Sequence, residues 1–277
     1  MMRLISKRAL LLSVLLLLRV VVPAQTFANS NLTIDSGYLI SFDGTKIYYE
    51  STGKGQAVIL VHGFIVNGQS WKKTALYNDL TAAGYKVVIL DQRGNGRSDK
   101  PHDSAAYDND AEAKDIMALT KKLEIKKYSA IGYSRGAIIV SRLLVLDKNI
   151  RKGVMGGMGS DFTNPQWPRR IMFYHALRGD SVPELKAMVE NVKKQGLDPM
   201  ALAYLQRSQP STSKEQLAAI KQPVLVICGD RDSDNGSAIE LASLLPGASF
   251  VTTPGVHNDA NQTKEFSSAV IYFLQKK

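Results

Sequence analysis

The chain of 277 residues carries 35 Lys and Arg against 25 Asp and Glu, which gives a formal net charge of +10. The basic residues are spread along the chain rather than collected in an arm, so we interpret them as a solvated basic surface and expect no nucleic-acid partner. A single cysteine, Cys228, excludes an internal disulfide, and its place in an apolar run is typical of an inert buried thiol. The sequence contains no Cys/His cluster with zinc-binding spacing, so we expect no metal site.

Residues 1–28 have the composition of a secretory signal peptide. A short basic start precedes a nearly unbroken apolar run over residues 9–22, and the small residues Ala24 and Ala28 suit signal-peptidase cleavage. The run is shorter than the about 20 apolar residues that a membrane-spanning helix needs, and Arg19 interrupts it. We therefore expect an exported protein, periplasmic or secreted, with no stable membrane span after cleavage. An uncleaved N-terminal anchor is the alternative.

Short apolar runs alternate with helix-like patterns along the rest of the chain. This alternation predicts a mostly parallel central sheet with helices on both faces, in one α/β domain of about 250 residues. The start differs, because Asp43-Gly44 between two alternating segments is a strong hairpin signal. Strands are predicted at 38–42, 45–50, 57–61, 86–90, 128–131, 153–156, 223–228 and 248–252, and helices at 111–123 and 263–274.

Residues 161–212 interrupt this alternation. They contain several prolines, no convincing strand, and helix-like stretches at 168–177 and 182–194. A capping-box pattern, Ser213 with Gln216 three residues later, then opens a helix back in the core. We predict a core in two parts with a helical cap insertion over the C-terminal edge of the sheet. The predicted boundaries are signal peptide 1–28, core 29–160, cap 161–212 and core 213–277.

The most informative pentapeptide is Gly132-Tyr133-Ser134-Arg135-Gly136, which lies between a predicted strand and a predicted helix. Glycines two residues to either side of Ser134 permit the strained strand-to-helix turn that exposes a nucleophilic serine. The helix N-terminus behind the serine supplies free N–H groups and a positive dipole. This setting, more than the pentapeptide itself, indicates that Ser134 is a nucleophile.

A serine hydroxyl needs a base that takes its proton and a carboxylate that orients the base. Of the four histidines, His62 directly follows a strand, His102 lies in a polar loop, and His175 falls in the cap. His257 follows the last predicted strand, where a loop can place its ring over Ser134. His257 is therefore the candidate base.

The orienting carboxylate is expected at the C-terminal end of a parallel strand, because ligand-facing loops gather there. The loop after the 223–228 strand offers three acids, Asp230, Asp232 and Asp234. The residues by themselves leave the choice among these three open.

Acyl transfer also needs two backbone donors for the developing oxyanion. The amide of Arg135, at the start of the helix behind the nucleophile, is one candidate. The other is the amide of Phe64, in the loop that follows the 57–61 strand. In this loop we expect His62 to hold the backbone by hydrogen bonding rather than to transfer a proton.

Two segments give these residues a family resemblance. His62-Gly63-Phe64, followed seven residues later by Trp71, resembles the oxyanion loop of α/β-hydrolases. Residues 91–101 resemble the D-x-R-G-x-G-x-S-x-x-P segment of the esterase, haloperoxidase and epoxide-hydrolase-like branch of that superfamily. The order of serine, acid and histidine is also that of the family. The family acid falls at the fourth position of a G-x-x-D run, so the resemblance implies Asp232.

The resemblance implies the α/β-hydrolase fold and acyl transfer to water, with no metal or organic cofactor. Dehalogenases and epoxide hydrolases of this fold use an aspartate as nucleophile, so Ser134 argues against both activities. We expect a carboxylesterase that acts on small or medium esters, with a small-molecule ester as its partner. The enzyme alternatives are a carbon–carbon bond hydrolase, a lactonase and a cofactor-free perhydrolase. The alternative from another class is a non-catalytic binding protein of the same fold.

Substrate choice is expected to depend on the cap and on Arg135, a position where relatives often carry Met, Gln or an apolar residue. The Arg135 side chain either reaches into the pocket and favours an anionic or polar acyl group, or turns aside to pair with a helix neighbour. The other candidates for lining the pocket are His62, Trp167 and Phe173.

Overall fold

The computed structural model describes residues 33–276, so the predicted signal peptide at 1–28 lies outside the described range and stays a prediction. Eight strands form one sheet: β1 (Ile34–Ile40), β2 (Lys46–Thr52), β3 (Ala57–Val61), β4 (Lys86–Leu90), β5 (Tyr128–Tyr133), β6 (Ile150–Gly156), β7 (Val224–Gly229) and β8 (Ser249–Thr253). Their order across the sheet is β1-β2-β4-β3-β5-β6-β7-β8.

The expected mostly parallel sheet is confirmed. The pairs from β4-β3 to β7-β8 are all parallel, whereas β2 runs antiparallel to both β1 and β4. The hairpin predicted at Asp43-Gly44 joins β1 to β2, and Gly44 adopts a φ of 85° in its turn. The register pairs Val61 with Gly132 and Tyr133 with Gly156. Parallel pairing therefore brings the C-terminal ends of β3, β5 and β6 to one edge of the sheet.

Nine α-helices occur within residues 33–276: α1 (Ala75–Ala82), α2 (Ala111–Lys122), α3 (Arg135–Leu146), α4 (Pro168–Arg178), α5 (Lys186–Lys194), α6 (Pro199–Arg207), α7 (Lys214–Ala218), α8 (Ala238–Ser243) and α9 (Lys264–Gln275). Ile59 and Val61 of β3 belong to a buried apolar cluster that also includes residues of α2, α3 and α8. Val58 and Leu60 belong to a second buried cluster, which includes residues of α1 and α9. Because both faces of β3 are buried, its sequence is continuously apolar rather than alternating.

The segment 161–212, here called the cap segment, contains α4, α5 and α6 and no strand. Its apolar side chains, including Leu177, Val192 and Leu205, form a separate cluster with Tyr107. The predicted capping box opens α7, which returns the chain to the core. The exact borders of a cap domain stay a prediction. Among residues 33–276, no helix combines the length and apolar character needed to cross a membrane.

Candidate active site

Ser134 lies at the turn between β5 and α3, with φ 54° and ψ −125°. A non-glycine residue rarely adopts such a conformation, which costs about 1–3 kcal/mol. Glycines let the turn close: a Cβ on Gly132 would lie 2.1 Å from the Gly136 carbonyl oxygen, and one on Gly136 would lie 2.1 Å from that of Val61. The Ser134 amide donates to the Gly156 carbonyl at 2.8 Å. The turn thus holds the serine at the C-terminal edge of the sheet.

The hydroxyl of Ser134 is in contact with a histidine, and the histidine with a carboxylate. His257 Nε2 lies 2.9 Å from Ser134 Oγ, and its Nδ1 lies 2.9 Å from Asp232 Oδ2. Asp232 follows β7 and His257 follows β8, so loops at the same sheet edge bring the pair to the serine. In this arrangement Nδ1–H donates to Asp232, which leaves Nε2 free to accept the serine proton.

Neighbouring groups keep Asp232 ionised, and a hydrogen bond from Tyr133 holds the backbone of the loop that carries His257. Burial acts to raise the pKa of Asp232, but the hydrogen bond and charge of His257 outweigh it, so this pKa lies below its ordinary value of 3.8. The Asp234 amide adds a hydrogen bond to Asp232 Oδ1 at 3.2 Å. The Tyr133 hydroxyl donates to the His257 carbonyl at 2.8 Å. Burial raises the pKa of Tyr133, so its phenol stays a protonated donor.

The loop after β3 passes directly beside the serine, since a Cβ on Gly63 would lie 3.3 Å from Ser134 Cβ. Phe64 is the next residue of this loop, and Arg135 is the first residue of α3. Within residues 33–276 neither the Phe64 amide nor the Arg135 amide donates a hydrogen bond. Both amides are therefore available to an oxyanion that forms at Ser134.

His62 is buried and holds this loop. Its Nε2 accepts a hydrogen bond from the Gln92 amide at 3.0 Å, and its Nδ1 donates to the Gly63 carbonyl at 2.7 Å. The Gln92 side chain donates back to the His62 carbonyl at 2.7 Å. Asp91 accepts from the Gly68 amide at 2.8 Å, which fixes the far end of the same loop. Both ring nitrogens of His62 thus bind backbone.

The buried ring predicts a pH dependence of stability. Burial lowers the pKa of His62 below its ordinary value of 6.5, so the unfolded chain binds a proton at a pH where the folded chain does not. Stability contributed by the neutral ring is present above the unfolded pKa and lost as the pH falls below it. We expect this residue to lower the free energy of unfolding by about 1.4 kcal/mol per pH unit below about pH 6.5, for as long as the folded ring stays neutral.

Urea unfolding of wild type and His62→Gln between about pH 7.5 and pH 5.5 measures this contribution, because the glutamine does not titrate there. Equal slopes in wild type and His62→Gln would contradict the prediction.

Two cavities open beside Ser134 and His257. The cap cavity, about 190 Å³, is bordered by Trp167 and Phe173 of the cap segment. The loop cavity, about 240 Å³, is bordered by His62 and the rest of the loop after β3. Phe64 borders both, and its ring packs edge-on against Phe173 with centroids 5.9 Å apart. A substrate whose carbonyl lies at Ser134 would therefore place one part in each cavity.

Arg135 borders the cap cavity, but its charge is already paired. Its guanidinium donates to both carboxylate oxygens of Glu112 at 2.5 Å and to the Leu205 carbonyl at 3.0 Å. The two charged side chains are only 5% and 4% exposed. Of the two orientations expected from the sequence, the structure has the one in which Arg135 pairs with a helix neighbour, and that neighbour lies on α2.

Four further residues were not predicted from the sequence: Glu112, Tyr133 and the cap arginines Arg169 and Arg170. Glu112 had a usable signal, because helical spacing places it on the same face as the core residue Ile116. An acid on a buried face indicates a buried cationic partner. No local pattern indicated the others, whose contacts come from distant segments. Within residues 33–276 no group of three or more His, Cys, Asp or Glu is placed to hold a metal ion.

Comparison with known proteins agrees with this architecture. A family model described as the alpha/beta hydrolase fold matches residues 56–187. The chain is 44% identical over 98 residues to a putative non-heme chloroperoxidase of Synechocystis, but this covers only 35% of the chain and 34% of that protein. A bifunctional esterase/perhydrolase of Acinetobacter calcoaceticus is 25% identical over 256 residues, which cover 79% of this chain and 91% of that protein.

Among solved structures, a bromoperoxidase from Bacillus anthracis superposes with a TM-score of 0.68 at 24% identity, over 87% of this chain and all of that one. That likeness establishes the fold. The sheet order, the strained serine turn and the family match agree with one another. The chain has the α/β-hydrolase fold.

Proposed function

We propose that the protein is a serine hydrolase that cleaves small carboxylic esters through an acyl-enzyme intermediate. The observation that carries the proposal is the hydrogen-bonded chain from Ser134 through His257 to Asp232. The strained backbone at Ser134 lowers stability, and such strain is found mainly at functional sites. Here it places a serine hydroxyl beside a base and at a cavity, as nucleophilic catalysis requires.

In the proposed reaction His257 Nε2 takes the proton of Ser134 as its oxygen attacks the ester carbonyl. The amides of Phe64 and Arg135 stabilise the resulting oxyanion. The protonated His257 then gives the proton to the departing alcohol, which leaves an acyl-serine. Water, activated by the same histidine, releases the acid and restores the enzyme, while Asp232 stabilises the imidazolium in both halves.

The size of the cavities favours small substrates within this class. The cap cavity of about 190 Å³ and the loop cavity of about 240 Å³ are each below the roughly 300–1,000 Å³ of sites that take drug-sized ligands. A short acyl group and a small alcohol fit the two cavities better than a long chain. Carbon–carbon bond hydrolysis, lactone hydrolysis and peracid formation use the same residues and are the alternatives within the proposed chemistry.

Hydrolysis of p-nitrophenyl acetate tests the proposal. Wild type is expected to turn it over and to react with a fluorophosphonate probe, and Ser134→Ala is expected to lose both properties, since it lacks the nucleophile. Ser181→Ala, at an exposed serine of the cap segment, is the matched control and should behave as wild type. Absence of both turnover and labelling in wild type would contradict the proposal and favour a binding protein of this fold.

A further inference from the structure

The cap cavity has an unbalanced charge. Three arginines border it, Arg135, Arg169 and Arg170, and no acidic residue does. An excess of one sign in a concave, partly apolar site raises the local concentration of ligands of the opposite sign. Which of these arginines attracts a ligand depends on whether a nearby carboxylate already neutralises its charge.

Arg135 is neutralised by its buried bidentate pair with Glu112. Arg169 lies 3.5 Å from Asp234, but both side chains are more than 40% exposed, so water and salt weaken that pair. Arg170 differs from both, because no carboxylate within residues 33–276 lies within 4.0 Å of its guanidinium. Arg170 is therefore the cation of the cavity that lacks a counter-charge.

Backbone carbonyls hold the Arg170 guanidinium in place. Nη1 donates to the carbonyls of Gln206 and Arg207 at 3.0 and 2.7 Å, and Nη2 donates to that of Pro165 at 2.6 Å. The first two carbonyls belong to the C-terminal end of α6, whose dipole is equivalent to about half a negative charge. The Nε atom is buried and has no acceptor within residues 33–276. Because these partners are neutral carbonyls at a helix end, the guanidinium keeps a net positive charge that attracts an anionic ligand.

We propose that Arg170 is a specificity residue that attracts a carboxylate carried by the substrate, so that the enzyme prefers small esters bearing a negative charge. This inference rests on the proposed ester hydrolysis at Ser134. A guanidinium keeps its proton in a buried site, and a charged hydrogen bond is about twice as strong as a neutral one. Arg170 and Ser134 border the same cavity of about 190 Å³, so a short carboxylate-bearing ester has both residues within one site.

The test compares esters that differ only in charge. Monomethyl glutarate carries a carboxylate on its acyl side, and methyl 4-carbamoylbutanoate has the same shape with a neutral amide. Acetoxyacetate and acetoxyacetamide form the equivalent pair with the charge on the alcohol side. Hydrolysis followed at constant pH gives kcat/KM for each. We expect wild type to prefer the acid by about tenfold or more in at least one pair.

Arg170→Gln is expected to abolish that preference, mainly through KM, and Arg170→Lys is expected to restore part of it because it restores the charge. Arg151→Gln removes the same charge at an exposed position at the start of β6, the strand end remote from the serine, and should keep the wild-type ratio. If Arg170 only caps α6, its substitution lowers kcat/KM for acid and amide by the same factor and the ratio stays unchanged.

The outcomes separate this inference from the proposed function. Equal rates on acid and amide in wild type, or an unchanged ratio in Arg170→Gln, overturn the role of Arg170 and leave ester hydrolysis intact. If wild type hydrolyses none of the four esters and is not labelled by the fluorophosphonate probe, both the role of Arg170 and the proposed ester hydrolysis are overturned.

Discussion

Replacing His257 by alanine is expected to lower kcat for p-nitrophenyl acetate by about 10⁴-fold or more. Within residues 33–276 the imidazole is the group that hydrogen-bonds Ser134 Oγ, so the alanine leaves the hydroxyl without a base. Asp232→Asn should also cause a loss of about 10³–10⁴-fold, because asparagine keeps the shape but no longer favours the Nδ1–H tautomer or the imidazolium. Steady-state kinetics at about pH 8 measures both effects.

The chain offers a matched control for the histidine. His175 Nδ1 lies 2.6 Å from Asp180 Oδ2, which is also a histidine–aspartate contact, but the ring is 41% exposed. Within residues 33–276 its hydrogen-bond partners do not include a serine, so His175→Ala should keep turnover close to that of wild type. Near-normal turnover in His257→Ala would place the base elsewhere.

Neutralising Glu112 is expected to destabilise the folded chain by about 3 kcal/mol or more. The substitution Glu112→Gln leaves the buried Arg135 guanidinium with only a neutral partner and the Leu205 carbonyl. Uncompensated charge in such a site is costly because the surroundings do not replace the lost hydration. Denaturant unfolding of wild type and Glu112→Gln gives the difference in the free energy of unfolding.

A second ion pair, between α3 and the residue before α2, serves as the control. Arg142 of α3 binds Asp110, the residue before α2, but these side chains are 10% and 20% exposed. Asp110 adopts a left-handed φ of 60°, which asparagine tolerates, so Asp110→Asn tests the charge alone. Its cost should be less than half that of Glu112→Gln, since water still reaches the pair.

A double variant separates the ion pair from the general effect of substitution. Replacing Glu112 by leucine and Arg135 by methionine together removes both charges, and the resulting stability should lie near that of wild type or above it. A cost below about 1 kcal/mol for Glu112→Gln would contradict the expected burial of an uncompensated cation.

Most of the fold follows from local properties of the sequence. The apolar run over residues 57–61 predicts β3, and the spacing of Ile116 and Leu119 predicts the face of α2 that packs on the sheet. The Asp43-Gly44 hairpin and the Ser213 capping box were likewise predicted, because turn and cap chemistry reside in a few adjacent residues.

The candidate site was predictable only in part. Glycine positions indicate the turn that exposes Ser134, since no other residue type lets that turn close. The residues of the loop after β7 left three acids open, and the choice of Asp232 came from the family resemblance. In the structure Asp232 contacts His257, whereas Asp230 accepts from the Gly255 amide at 2.9 Å.

The sequence by itself determined the eight strands, the parallel core and the turn that exposes Ser134. These features depend on periodicity and turn residues that interact within a few positions. Only the tertiary structure decided that Arg135 is neutralised by Glu112 and that Arg170 borders the same cavity without a carboxylate. Whether a charge is neutralised depends on which distant segments pack around it. Local sequence patterns do not show which residues far apart in the chain come into contact.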